Sequence, residues 1–323
     1  KTVLNIEAPD RYLYDWPELG SALPDENTLQ RLGSDARGVH DRFPAEVYQR
    51  NRTRPPHDPC IDDWGIGQIE VEPGKWLPGL HPLDQASELD DIEAFSWPNM
   101  DDPSRIDHVA GLAHQLAQAN RYAIIGTPWL LFPFERACSL QGLDKFLLNM
   151  ALNPDFAAAL LERSTNLCKQ LMGHFLDSLG DDVDIIKIGD DLGTQNNLLI
   201  SPQMYRTMLK PLHADFIAFI KRRTSAKVFF HSDGDIFDLL DDLVEIGVDI
   251  LNPIQTSAGK MADLSALKKR YGRELVFCGA IDTQHILPYG SPDQVRVEVR
   301  RVIQLLAPGG GYMLAPVHTI MDE

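Results

Sequence analysis

Residues 226–233 read Ala226-Lys-Val-Phe-Phe-His-Ser-Asp233. The stretch is a short apolar run that ends directly in polar side chains. A continuous apolar run of this length is typical of a strand that is covered on both faces, as in a parallel sheet. Five further runs have the same texture: 122–127, 183–189, 248–251, 274–278 and 311–315. The sequence therefore predicts at least six parallel strands.

Helical patterns lie between these runs. Apolar residues recur at three- and four-residue steps in 105–119, 143–178, 202–223, 236–246, 262–271 and 292–306. Ser201-Pro202 is a helix-start signal, and Asn153-Pro154 predicts that the stretch 143–178 contains two helices rather than one. Short strands that alternate with helices predict an α/β protein whose parallel sheet is covered by helices.

Polar residues follow the carboxyl end of nearly every predicted strand. An open doubly wound sheet gathers its ligands at one switch point, usually beside a glycine-rich loop after the first strand. Residues 309–311 are three glycines, but they precede a strand, so we expect a turn there. A polar ring at many strand ends instead predicts a (β/α)₈ TIM-type barrel. The ring consists of Asp190, Asp191, His231, Asp233, Asn252, Gln255, Asp282 and His318.

The first 105 residues differ in texture from the rest. They are rich in Pro, Asp and Trp and show little periodicity. We expect residues 1–105 to form an irregular N-terminal region that covers a barrel built from 106–323, with one structural domain overall. Because the later segment holds too few predicted strands for a barrel, this region must also supply the missing strands.

Composition excludes several classes of function. The chain has 323 residues, 44% of them hydrophobic, and a formal net charge of −17. Such a charge repels phosphate, so we expect neither a nucleic-acid partner nor a membrane surface. Four cysteines without paired spacing indicate a reduced, cytoplasmic protein. No signal-peptide pattern opens the chain, and we expect both ends, Lys1 and Glu323, to be trimmed.

Six segments together resemble the uroporphyrinogen decarboxylase superfamily, in that family's order. They are Ile188-Gly-Asp-Asp-Leu-Gly-Thr-Gln195, Ile200-Ser-Pro-Gln-Met-Tyr-Arg206, His231-Ser-Asp-Gly234, Gly247-Val-Asp-Ile-Leu-Asn-Pro-Ile-Gln255, Gly279-Ala-Ile-Asp282 and Ala315-Pro-Val-His318. The resemblance implies a distorted (β/α)₈ barrel with its site in the carboxyl-terminal mouth. The family includes porphyrinogen decarboxylases and zinc-dependent methyltransferases that use corrinoid proteins.

Two departures from the family decide which branch the chain resembles. The decarboxylases carry an arginine-rich amino-terminal segment, which this chain lacks. The zinc methyltransferases carry His-x-Cys and a distal Cys, where this chain has His231, Asp233 and His318. We therefore expect these three residues to bind a divalent metal, most simply zinc, because two imidazoles and a carboxylate form a sufficient catalytic set.

The remaining polar residues are predicted to act on the substrate. His231 and His318 are expected to be catalytic together with one of the two aspartates after the strand 183–189, which would position substrate or move a proton. Of Asp190 and Asp191 we favour Asp190, and the structural alternative for Asp191 is to cap a turn with Gly193. Gln195, Asn252, Gln255 and Asp282 are predicted to bind substrate. For each of these residues the alternative is a structural role in holding loops together.

Three functions remain open. The first is a metal-assisted methyltransferase that acts with a corrinoid or folate on a small methylated substrate. A corrinoid protein as partner and a homodimeric state are compatible with this function. The second is a decarboxylase, a lyase acting on a porphyrinogen or smaller acid. The third is a non-catalytic barrel that binds a tetrapyrrole or corrinoid.

Overall fold

The computed structural model describes residues 3–4, 29–31, 33–54, 58–72, 75–128, 132–318 and 320. Eight of its described strands form one sheet, and three others form a separate antiparallel sheet, β3-β4-β5 in the numbering that follows. Numbered in chain order, the strands are β1 (Val3–Leu4), β2 (Ala36–Val39), β3 (Cys60–Ile61), β4 (Gly67–Glu72), β5 (Lys75–Leu80), β6 (Ala123–Gly126), β7 (Ile185–Gly189), β8 (Lys227–His231), β9 (Ile250–Ile254), β10 (Val276–Ile281) and β11 (Tyr312–Pro316).

The large sheet is parallel throughout. Its order is β1-β11-β10-β9-β8-β7-β6-β2, so from β6 onward each strand pairs with the next one along the chain, and the last pairs with the first. This sequential order is that of a TIM-type α/β fold. Within the described ranges, β1 and β2 form the two edges. Both lie before residue 106, so this region contributes two strands to the sheet.

Helices follow the strands and cover the sheet. In chain order they are α1 (Ala45–Arg52), α2 (Leu89–Ala94), α3 (Val109–Ala119), α4 (Pro133–Gln141), α5 (Leu143–Leu152), α6 (Pro154–Leu179), α7 (Pro202–Met204), α8 (Lys210–Lys221), α9 (Leu240–Glu245), α10 (Leu264–Tyr271), α11 (Ile286–Tyr289) and α12 (Pro292–Leu306). A π-helical segment, Tyr205–Leu209, joins α7 to α8. None of the described helices combines the length and apolarity that crossing a membrane requires.

Alternation along the strands separates two cores. Successive strand side chains point to opposite faces of a sheet. The larger core joins the outer strand face to the helices and includes Ile186, Phe230 and Leu251. The smaller core contains residues from seven strands of the sheet, which indicates that the sheet curls around it: Ala36, Ile125, Ile185, Phe229, Ile250, Cys278, Met313 and Ala315.

The predicted elements agree closely with this structure. All six apolar runs contain strands, and Asn153 separates α5 from α6 as its proline signal indicated. The glycines 309–311 adopt positive φ angles in a turn before β11. The sequence interpretation missed α4, because its predicted strand at 122–127 is followed by an apolar stretch without clear periodicity. The amino terminus of this helix contacts Asp190, which follows β7.

Buried ionic contacts hold the N-terminal region together and join it to α4. Arg105 forms an ion pair with Asp63 inside that region, and Nη1 of Arg136 lies 3.9 Å from Oδ2 of Asp62, with all four side chains buried. The guanidinium of Arg136, from α4, lies 4.2 Å from the centre of the Trp64 ring. Burial raises the pKa of Asp62 despite the nearby Arg136 charge. Because residues 5–28 lie outside the described ranges, the covering role of the whole segment 1–105 stays a prediction.

Candidate functional site

Three side chains converge at the carboxyl ends of neighbouring strands. His231 is the last residue of β8, Asp233 lies two residues later, and Asp191 lies two residues after β7. One ligand atom from each lies within 4.8 Å of the others. Nε2 of His231 is 3.8 Å from Oδ1 of Asp191 and 3.9 Å from Oδ2 of Asp233. We call Asp191, His231 and Asp233 the mouth cluster.

Two glycines allow the loops that carry the cluster to cross closely. A Cβ atom on Gly193 would lie 2.5 Å from the backbone oxygen of Asp233. A Cβ on Gly234, whose φ is +88°, would lie 2.5 Å from the carbonyl carbon of Gly193. The backbone N–H of Asp233 also donates to Oδ1 of Asp191 over 2.8 Å. Side chains larger than hydrogen at these two positions would therefore force the loops apart.

The imidazole of His231 is held in orientation by a residue on the neighbouring strand. Its Nδ1 lies 2.6 Å from Oδ1 of Asn252, the residue that pairs with it in register on β9. Since an amide oxygen only accepts, Nδ1 carries the proton and Nε2 is the nitrogen that faces the carboxylates. The Asn252 amide also forms a hydrogen bond with the thiol of Cys278, whose pKa burial raises to about 12. Asn252, predicted to bind substrate, thus contacts His231 instead.

Asp190 has a different environment from its neighbour Asp191. Its carboxylate is fully buried and accepts the backbone N–H groups of Phe134 and Glu135, at 3.1 and 2.8 Å. It thereby caps the amino terminus of α4. Nε2 of His213 lies 3.0 Å from the same carboxylate, and its Nδ1 lies 3.3 Å from the hydroxyl of the buried Tyr205. The predicted catalytic role of Asp190 stays untested, and its contacts describe a structural role.

His318 contacts the cluster at one member. Its Nε2 is 3.9 Å from Oδ2 of Asp233, the same oxygen that lies 3.9 Å from Nε2 of His231. The Nε2 atoms of the two imidazoles are therefore separated by at most twice 3.9 Å, and both lie at the same end of the sheet. The side chain of His318 is 46% exposed, whereas that of His231 is 9% exposed. His318 thus occupies the solvent side of the group.

A cavity of about 760 Å³ opens beside His318 and Asp233. Gln195 and Gln255 also line it, as predicted for substrate contacts. Gln255 is nonetheless committed in part to the loop, because its Oε1 accepts the backbone N–H of Gly234 over 2.7 Å. The remaining lining residues are Gly193, Thr194, Gly234, Thr283, Gln284, Leu287, Pro288, Tyr289, Val317 and Ile320.

Asp282 lies after β10 but turns toward its own loop. Its Oδ1 accepts the backbone N–H of Gln284 over 2.7 Å, and its Oδ2 lies 3.0 Å from Nδ1 of His285. The structure thus brings together His231, Asp233 and His318 of the predicted site and uses Asp282 in a local turn. Its role in substrate binding stays a prediction.

Asp191 is the cluster member that the sequence analysis ranked below Asp190. A signal for it was present in the alternation of β7, where Ile185 belongs to the inner core and Ile186 to the outer core. Continuing that alternation past Gly189 directs Asp190 outward and Asp191 inward. The cluster is consistent with this pattern.

Comparison with known proteins identifies related chains. The family model described as "Uroporphyrinogen decarboxylase (URO-D)" matches residues 68–323. A uroporphyrinogen decarboxylase from Saccharophagus degradans is 21% identical over 320 residues, which cover 94% of this chain and 85% of that protein. A methylated-thiol–coenzyme M methyltransferase from Methanosarcina mazei is 22% identical over 212 residues, 65% of this chain and 54% of that protein.

Among solved structures, a methyltransferase from Methanosarcina mazei superposes with a TM-score of 0.66. The superposition covers 99% of this chain and 88% of that one, at 17% sequence identity. Agreement at this identity supports the fold.

Proposed function

The chain belongs to the uroporphyrinogen decarboxylase family, and from that membership we propose that it is a metal-assisted methyltransferase. It would act on a small methylated substrate with a corrinoid or folate as co-substrate. The observation that carries the proposal is the convergence of Asp191, His231 and Asp233. The methyltransferase relative from Methanosarcina mazei supports the choice of reaction. We further propose that β1 and β2 close the sheet into a (β/α)₈ barrel.

The donor atoms of the mouth cluster fit a divalent ion. Ligands about 2.1 Å from a tetrahedral zinc stand roughly 3.4 Å apart, and the separations measured from Nε2 of His231 are 3.8 and 3.9 Å. The ligand atoms of Asp191 and Asp233 lie within 4.8 Å of each other, so movements of about 1 Å or less would bring all three donors to ligand distance. Because it contains two carboxylates and no thiolate, it suits zinc as well as harder ions. A bound ion of this kind would polarise a substrate oxygen or lower the pKa of a bound water.

Protein groups around the cluster supply orientation and proton transfer. Asn252 fixes the His231 ring, so that Nε2 faces Asp191 and Asp233 without rotation. His318, half-exposed at the cavity, is placed to exchange a proton at its Nε2 with bound substrate or solvent, or to join the ligand set. The described residues that line the cavity include neither Arg nor Lys. This lining disfavours a substrate with many carboxylates, such as uroporphyrinogen.

Metal content tests the proposal directly. We would reconstitute wild-type protein with excess zinc, remove unbound metal and measure zinc per chain together with the unfolding transition. His231→Ala should lose the metal and stay folded. His114→Ala is the matched control, because His114 is exposed on α3 and contacts only surface groups. Wild-type protein without stoichiometric metal would instead indicate an organic acid–base site.

Methyl transfer gives the second measurement. The metal-loaded protein should demethylate free methylcobalamin in the presence of an acceptor, or methylate reduced cobalamin from a donor, with the absorbance of the corrin ring as readout. The His231→Ala protein should lack this activity. Conversion of uroporphyrinogen to coproporphyrinogen by the wild-type protein would contradict the proposal.

A further inference from the structure

The cavity beside the mouth cluster lies between two loops. One is the loop after β7, which contributes Gln195 to the lining. The other is the segment after β10, which contains α11 and contributes Gln284 and Leu287. Asp233, a member of the mouth cluster, also lines the cavity. A ligand held between the two loops therefore reaches the cluster directly.

The size of the cavity indicates a substrate larger than a one-carbon compound. Its volume of about 760 Å³ lies within the range of roughly 300–1,000 Å³ that is typical of sites for drug-sized ligands. A donor such as methanol would leave most of this space to water. We therefore expect the methyl group of the substrate to be attached to a larger body.

Apolar side chains form one wall of the cavity. Four of its lining residues are Leu287, Pro288, Val317 and Ile320. Leu287 also packs against the larger core, which holds the wall in position. Ile320 is 65% exposed, so a ligand that covers it removes apolar surface from water. This wall favours a substrate with an apolar body.

Uncharged polar groups supply the hydrogen bonding in the lining. Gln195, Thr283 and Gln284 contribute amide and hydroxyl groups. Among the described residues, the side chains of Gln195 and Gln284 form no hydrogen bond with the protein, and both residues are exposed. Because an amide both donates and accepts, these two groups suit hydroxyl, ether or carbonyl oxygens of a ligand.

The lining offers no counter-charge to a charged substrate once the ion is bound. Among the described lining residues, Asp233 is the one carboxylate, His318 is the one imidazole, and neither Arg nor Lys occurs. A divalent ion held by Asp191 and Asp233 would balance both carboxylates, and imidazoles are ordinarily neutral above about pH 7. Moving an unpaired charge from water into a partly apolar site is unfavourable.

From these observations we infer that the substrate is an uncharged molecule with an apolar body and one or more hydrogen-bonding oxygens. Its body packs against Leu287 and Ile320, and its oxygens bind the amides of Gln195 and Gln284. Its methylated end reaches the mouth cluster. The inference rests on the proposed function, which defines the cluster as the reacting end and supplies the balancing ion. It adds the substrate class and the residues that select it.

Probes that share one body and differ in charge test the inference without turnover. They are p-methoxybenzyl alcohol, p-methoxybenzenesulfonate and p-methoxybenzyltrimethylammonium: an uncharged molecule, an anion and a cation. A sulfonate is used because a carboxylate is itself a zinc ligand. Methanol is the probe without a body. Affinities are measured by calorimetric titration of zinc-loaded protein at about pH 8, where ordinary imidazoles are neutral.

The wild-type protein should bind the alcohol at least about tenfold more tightly than either charged probe, since each charge would enter a site without a counter-charge. Methanol should also bind about tenfold or more weakly than the alcohol, because it leaves the apolar wall uncovered. Tighter binding of the sulfonate or of the ammonium would overturn the inference. Equal binding of methanol and the alcohol would overturn it as well.

A substitution that adds a charge tests the selectivity of the lining. Gln284→Lys should strengthen binding of the sulfonate by about tenfold or more, through a new charge-assisted hydrogen bond. Gln304→Lys is the matched control, because Gln304 is exposed on α12 and lies outside the described lining of the cavity. It adds the same charge and should keep the wild-type order of affinities. An unchanged order in Gln284→Lys would contradict the inference.

Truncation of the wall tests the apolar contact. Leu287→Ala should weaken binding of the alcohol by about tenfold, because apolar surface of the ligand stays in water, and it should leave the zinc content unchanged. Thermal unfolding is measured for every variant. If Leu287→Ala fails to fold, Ile320→Ala, at an exposed position, replaces it. Wild-type affinity for the alcohol in the folded variant would contradict packing against this wall.

Zinc content, measured beside the titrations, keeps this inference separate from the proposed function. A protein that never binds stoichiometric zinc but prefers the alcohol would support the substrate class and contradict the metal function. Stoichiometric zinc together with a preference for a charged probe would do the opposite. A wild-type protein that binds none of the probes, with or without zinc, would also overturn the inference.

Discussion

Asp190 and Asp191 are adjacent in sequence and have opposite environments. Asp190 is buried, caps α4 and contacts His213. Asp191 is 37% exposed at its side chain and faces His231 and Asp233. A buried carboxylate with every neighbour hydrogen-bonded is held in one structural role, whereas a half-exposed carboxylate beside a second one is available for a ligand. Of these two adjacent residues, Asp190 is therefore expected to contribute to stability and Asp191 to ligand binding.

The largest effect should come from removing the buried member of this pair. Asp190→Ala should lower the free energy of unfolding by about 3–5 kcal/mol, because it leaves buried partners unpaired. Those partners are the backbone N–H groups of Phe134 and Glu135 and the ring of His213. Urea denaturation at neutral pH measures the loss.

Asp191→Ala is the matched control for that measurement. Asp191→Ala removes the oxygen that accepts the backbone N–H of Asp233 but also removes repulsion between two partly exposed carboxylates, so we expect a loss of about 1 kcal/mol or less in metal-free protein. Equal destabilisation by both substitutions would remove the distinction between the two aspartates.

Zinc affinity, unlike stability, should depend strongly on the partly exposed Asp191 and only weakly on the exposed His318. Asp191→Ala should weaken zinc binding by about a hundredfold or more, since it removes a proposed ligand. His318→Ala should weaken it by about tenfold or less, because His318 is not among the three residues whose ligand atoms lie within 4.8 Å of one another. Competition with a chromogenic chelator measures both values. A larger effect of His318→Ala would restore the set His231, Asp233 and His318 predicted from the sequence.

A loss of zinc affinity between those of Asp191→Ala and His318→Ala is expected one contact away from the cluster. Asn252→Leu keeps the volume of the side chain but removes the oxygen that accepts from Nδ1 of His231. Residues that orient a metal-binding histidine typically change affinity by about 10–100-fold. The same chelator assay, with the unfolding transition as control, measures it. Unchanged affinity would show that packing alone holds the ring.

A modest loss of stability is expected when a side chain is added where the two loops cross. Gly193→Ala should cost about 1–2 kcal/mol of stability, because its Cβ would meet the backbone of Asp233 and the loops must shift. Gly111→Ala is the control, since Gly111 lies in α3 with open space around its Cβ position. We expect Gly111→Ala to stabilise the protein slightly. Thermal unfolding distinguishes the two variants, and equal transitions would contradict the close crossing.

Periodicity in the sequence was sufficient to predict most of the fold. Continuous apolar runs correspond to six strands of the parallel sheet, and the Asn153-Pro154 signal marks the break between α5 and α6. These features depend on residues close together in the chain, so local patterns contain them. The strand Ala36–Val39 was not placed, because Ala-Arg-Gly-Val has no continuous apolar run and is defined by pairing with β6.

By itself the sequence determined that polar residues would gather at the strand ends, with His231, Asp233 and His318 among them. Only the tertiary structure decided which aspartate after β7 joins them. The amino terminus of α4 and the ring of His213 come from distant parts of the chain, and together they bind Asp190. The close crossing at Gly193 and Gly234 brings Asp191 to Asp233. Alternation along β7 predicts that the two aspartates face opposite sides of the sheet, but only contacts made across the fold decide which side holds the cluster.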